Sequence, residues 1–168
     1  MSALVAALSV FLAVTLLLWA SGAYSRGIHS VNNGTIDLDT TATKIGQAKS
    51  TYAPDPDESS LTTFASSEAD CTGYTGGFGG GGRKSATVTL TEQTANNRDV
   101  AIIADLTWTA LGGATNNTLG YAVWLREVTN DAASIPIAYL NYSANVTTNG
   151  SDIAVDFDGT NGNVRWAV

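Results

Sequence analysis

Cys71 to Ser85 reads CTGYTGGFGGGGRKS, with glycine at seven of the ten positions from Gly73 to Gly82. Such a run is the raw material of a phosphate cradle, because glycine lets backbone N–H groups close on an anion. Gly77, Gly79 and Gly82 satisfy the GxGxxG spacing of dinucleotide sites. That chemistry needs a strand entering the loop and a helix leaving it, so that pyrophosphate meets a helix N-terminus. The exit here is RKSATVTLTE, which alternates as a strand does. A Walker A loop needs glycine directly before lysine, and Arg83 stands between Gly82 and Lys84. No cofactor is expected.

Other chemistry is equally thin. Asp156 to Asn163, DFDGTNGN, spaces oxygen donors as a calcium loop does, but the closing glutamate and flanking helices of an EF-hand are missing. Turn formation accounts for these residues, and no metal site is assigned. His29 is the one histidine and Cys71 the one cysteine, which excludes an internal disulfide and multi-His or Cys-based metal cages. His29 lies near the apolar segment, away from any nucleophile elbow. The pairs Asp55/Asp57 and Asp99/Asp105 fall in a proline loop and on an exposed strand face, where solubility explains them. The four tryptophans are dispersed, and Trp108 has core-face spacing. No catalytic constellation emerges, and the chain reads as a non-enzyme.

The elements that hold these residues are mostly strands. TIDLD alternates Ile36 and Leu38 with polar neighbours; ATVTLTE places Ala86, Val88 and Leu90 on one face. RDVAIIADLTW sets Val100, Ile102, Ala104, Leu106 and Trp108 on one side of a long strand. Period-two alternation of this length marks half-buried strands. LGYAVWLREV and IPIAYLNY are apolar on both faces, as central strands are. Asn33-Gly34, Asn149-Gly150, Asp158-Gly159 and Asn161-Gly162 supply turns. The expected fold is all-β, an antiparallel β-sandwich or barrel-like domain with an N-terminal apolar helix.

Ala3 to Ala20 carries no charge, long enough for a membrane span. Ser21-Gly22-Ala23 resembles a signal-peptidase site, but no basic residue precedes the run. Three readings stand: a span or uncleaved signal, a helix buried between subunits, or a core helix. The chain divides into a helix or arm at 1–30 and a β domain at 31–168, with a long Pro/Ser surface loop at 51–70 and the glycine-rich loop at 71–85. A formal net charge of −7 over 168 residues argues against nucleic acid as partner.

Tyr74 and Phe78 interrupt the glycines, which a mere linker has no use for. The expectation is a contact loop that packs its aromatics and brings Arg83 and Lys84 to a partner's acidic patch. Leu12, Leu16 and Trp19 are the contact candidates in the apolar segment.

The succession NGTIDLDT, STYAPDPD, GYTGGFGGGGRK, DLTWTALGG and EVTNDAASIPIAYLNY, from Asn33 toward Val168, resembles a family of small tailed-bacteriophage virion proteins. The resemblance implies a structural role without catalytic residues. Within that role the leading expectation is a cement protein on the capsid surface, binding the major capsid protein or other virion subunits as a homo-oligomer. A neck or tail component is the near alternative. The alternative from another class is a membrane-anchored, extracellular or filament-forming surface protein anchored by residues 3–20. Two features depart from the family pattern: the polar segment Thr41 to Ser50, where a weakened first strand is expected, and the apolar N-terminus.

Overall fold

The computed structural model describes residues 18–96, 98–157 and 164–167. Ten strands and two short helices appear among them. The strands are β1 (Leu18–Ala23), β2 (Thr43–Lys49), β3 (Lys84–Ala86), β4 (Val88–Gln93), β5 (Arg98–Ile103), β6 (Leu106–Leu111), β7 (Thr118–Arg126), β8 (Ile135–Thr147), β9 (Ser151–Val155) and β10 (Val164–Ala167). The helices are α1 (Ser25–Asn32) and α2 (Thr62–Ser67). All pairings between named strands are antiparallel, in sheets ordered β1-β8-β7-β2-β3, β10-β5-β4 and β6-β9.

The five-stranded sheet is covered on both faces, which is why its central strands are apolar throughout. Along β7, Ala122 and Trp124 enter one buried cluster, while Val123 and Leu125 enter another. The first cluster joins β7 and β8 to Ala101, Ile103, Trp108, Ile153 and Val155 of the smaller sheets. The second holds Tyr24, Tyr52, Leu61 and Phe64. Tyr24 and Tyr52 share a hydroxyl–hydroxyl hydrogen bond of 2.6 Å, and Tyr52 donates to Glu58 Oε2 at 3.1 Å. Burial raises the Glu58 carboxyl above its ordinary range, against the opposing pull of the Tyr52 hydrogen bond.

Several expectations are corrected. The apolar helix does not extend through the end of its run, because Leu18–Ala23 is strand β1 on the edge of β8; residues 1–17, with Leu12 and Leu16, lie outside the described residues. Residues 51–70 are not a surface loop throughout, since α2 interrupts the loop and drives Phe64 into the second cluster beside Tyr52 and Leu61. Thr41 to Ser50 contains β2, hydrogen-bonded between β7 and β3. Its Gln47 is fully buried and accepts a short hydrogen bond from the Tyr142 hydroxyl. Ile36 and Leu38 are buried from a run of turns, not from a strand.

The long strand expected over 98–108 breaks at Ala104-Asp105. There Ala104 N–H donates to Thr87 O, and Asp105 Oδ1 accepts from Phe157 N–H. The break changes the phase, so Ala101, Ile103 and Trp108 face the shared core.

Candidate interaction site at the glycine-rich loop

The loop from Cys71 to Arg83 lies between α2 and β3, and its centre is an ionic cluster inside the protein. Arg83 Nε donates to Glu68 Oε1 at 2.9 Å, and Nη2 donates to Glu68 Oε2 at 2.7 Å. This is the two-pronged geometry that suits guanidinium to carboxylate. The side chains of Arg83 and Glu68 are 0% and 1% exposed. Arg83 Nη1 donates to Glu127 Oε1 at 3.0 Å and lies 2.8 Å from Asp131 Oδ1. Lys44 Nζ reaches Glu127 Oε2 at 2.5 Å. The guanidinium carbon stands 5.3 Å from the Phe64 ring centroid, a cation–π arrangement.

Burial by itself pushes the Arg83 pKa down. The hydrogen bonds and charge of Glu68, then of Asp131, outweigh it and hold the guanidinium above its ordinary value. Arg83 is therefore charged at every pH of interest, and its charge is spent within the chain.

The same carboxylates fasten the loop backbone. Glu68 Oε2 accepts from Gly77 N–H at 2.8 Å, and Asp131 Oδ2 accepts from Phe78 N–H at 3.1 Å. Tyr74 donates its hydroxyl proton to Glu68 Oε1 at 2.9 Å, and its oxygen accepts from Gln47 N–H at 2.8 Å. Trp108 Nε1–H donates to Gly82 O at 2.8 Å. Gly82 lies against the Tyr74 ring so closely that a Cβ there would stand 2.3 Å from Tyr74 Cδ1.

Phe78 is the exception to this inward packing. Gly80 N–H donates to Gly77 O at 3.0 Å, closing a turn with Phe78 and Gly79 at its centre. Gly79 has φ +73°, the left-handed value that the third residue of a type II turn requires. The turn leaves Phe78 43% exposed, among the most exposed large apolar side chains described.

The contact candidates thus separate. Tyr74 and Arg83 are buried and satisfied within the chain, so their expected partner-facing role gives way to a structural one. Phe78 faces solvent. Lys84 is half-buried on β3, with Nζ 5.8 Å from the Trp108 ring centroid. Trp19 lies on β1; Leu12 and Leu16 are outside the described residues.

The other chemical candidates are not brought together. His29 is exposed on α1, Asp55 accepts from the Asp57 N–H at 3.0 Å, and Asp57 accepts from Ser25. Among the described residues no three of His, Cys, Asp and Glu are grouped to hold a metal ion. Most of DFDGTNGN, residues 158–163, lies outside them. No helix of the described residues is long and apolar enough to cross a membrane.

Comparison of the chain with protein-family models, with curated proteins and with solved structures finds no match.

Sequence reasoning missed the Arg83–Glu68 pair. The available signal was an arginine set between a glycine run and a strand, next to aromatics that need packing.

Proposed function

We propose that the chain is a non-enzymatic structural protein of a tailed-phage virion. In this reading its antiparallel sheets form a β-sandwich that cements the head by binding the major capsid protein. The observation that carries the reading is the braced turn presenting Phe78. A loop of seven glycines held by a buried ion pair offers an exposed aromatic at little ordering cost, and rigid aromatic anchors suit protein contacts. The order of motifs from Asn33 onward supports the virion class. The charged side chains Arg83, Glu68, Glu127 and Asp131 beside the loop are engaged with one another, which supports recognition as the use of this surface. β1 takes Leu18 to Ala20 out of the uncharged run, which weighs against a bilayer span through Ala3 to Ala20.

Quantitative mass spectrometry of density-purified particles tests this. Copies comparable to the major capsid protein support head decoration. A handful of copies per particle moves the protein to the neck or tail. Absence from particles with recovery in membranes overturns the virion reading.

A further inference from the structure

Beside β4 lies an open groove of about 720 Å³. Its apolar lining comes from Val31, Ile36, Leu38 and Leu90, and its carboxylates from Asp37 and Glu92. Leu90 is 40% exposed although it sits opposite the buried Ala101 in the sheet. Leu90, Thr91 and Glu92 all line the groove. Successive strand residues point to opposite faces, so the groove borders the edge of β4 rather than one face. Among the described residues that edge carries no neighbouring strand.

The opposite wall is fixed in place. Arg126 Nη1 donates to Thr35 O at 2.6 Å, and Asp37 N–H donates to Thr41 Oγ1 at 3.0 Å. An open edge beside a preformed apolar channel is the geometry that accepts an added strand.

We infer that this groove receives part of the uncharged segment Ala3–Leu17 of a neighbouring copy, added as a strand along the β4 edge. The inference rests on the assembly reading above and names the surface that takes the apolar arm. Charge selects the occupant. Copies with a net charge of −7 repel one another, and the groove presents two carboxylates with no lysine or arginine in its lining. Ala3–Leu17 has no charged side chain, so it enters without like-charge cost.

Topology favours a neighbour over the chain's own arm. Leu18 pairs with Tyr142 and Ala23 with Ala138, so β1 enters the sheet from the side away from Ile135. Ile135 pairs with Arg126, which braces the groove wall at Thr35. An arm returning to its own groove must therefore reverse along the length of β8. A neighbour's arm is not bound to that path, and such exchange closes readily into symmetric assemblies.

The test uses the full chain with Cys71→Ser, which removes the one native thiol. One copy carries Thr91→Cys, and the other carries cysteine at Val5, Val10 or Val14 in turn. Mixing them under mild oxidation should give disulfide-linked dimer about tenfold or more above that from an exposed control, Thr63→Cys, because a seated arm raises the effective concentration of the two thiols. Dimer no higher than the control at all three positions overturns the inference. So does a doubly substituted chain that closes only within itself. The crosslink is read on purified protein and the copy number on particles, so either reading can fail without the other.

Discussion

Arg83 and Glu68 form a bidentate ion pair with both side chains out of solvent, and that pair joins three segments distant in sequence. Glu68 directly follows α2, Arg83 ends the glycine loop, and Glu127 and Asp131 bring in the β7–β8 connection. Removing one member strands the other in low dielectric, which typically costs about 3–5 kcal/mol. Arg83→Met should therefore lower unfolding free energy by about that amount in a urea titration. In the double variant with Glu68→Gln, part of the loss should return, because the most deeply buried of the carboxylates around Arg83 is then neutral. Strict additivity of the two single losses would show the pair uncoupled.

The glycines should divide sharply by position. A Cβ at Gly82 would strike the Tyr74 ring, and one at Gly80 would stand 2.4 Å from Thr75 O, whereas Gly81 has open space around it. Gly82→Ala should destabilise by about 1–3 kcal/mol through overpacking. Gly81→Ala should stay within about 0.5 kcal/mol of the parent. Gly79→Ala falls between them, strained by its positive φ with no clash. Thermal melts of the three variants check the order. Equal losses would mean that the loop has no fixed conformation. Replacing Gly79 to Gly82 together would disturb the fold and the contact at once, so single variants are needed.

Alkaline pH should unfold the protein through its tyrosines. Burial, the first cause in each, raises the phenols of Tyr24, Tyr52, Tyr74 and Tyr142 above their ordinary pKa. The native chain then holds these protons more tightly than the unfolded chain does. The stability they contribute is complete below the ordinary tyrosine value of about 10 and is lost as pH climbs above it. Tyrosinate absorbance from these groups should appear together with loss of β circular dichroism, in one transition. Ionisation of all tyrosines near the ordinary value with the β signal intact would refute this.

What could be read from the sequence follows from how local each signal is. The two-faced apolar strands β7 and β8 were legible because residues on both of their faces enter buried clusters. The β2 segment was not, since its buried Gln47 finds the donor for its Oε1 in Tyr142, 95 residues along the chain. The phase of β5 and β6 was obscured by two residues, Ala104 and Asp105, whose hydrogen bonds run to Thr87 and Phe157. At the loop, the two aromatics suggested packing; Tyr74 packs inward, whereas Phe78 stays 43% exposed. Which side chains turned inward depended on Glu68, Glu127 and Asp131, and no spacing rule connects those positions to Arg83.

Phe78 should separate recognition from folding. Its ring is held outward by a turn whose brace is backbone: Glu68 takes the Gly77 N–H and Asp131 takes the Phe78 N–H. Alanine keeps both amides, so Phe78→Ala should change unfolding free energy by no more than about 0.5 kcal/mol. An aromatic anchor at the centre of a contact is commonly worth at least about 2 kcal/mol when truncated, which lowers affinity more than tenfold. On the capsid-binding reading proposed above, particles lacking the protein, titrated with parent and variant, should therefore bind the variant at greatly reduced occupancy. Arg83→Lys provides the contrast. It retains a charge but loses the forked hydrogen bonds, so its effect should appear in stability first and in binding only where the loop loosens. Equal occupancy for parent and Phe78→Ala would remove the glycine loop from the contact surface.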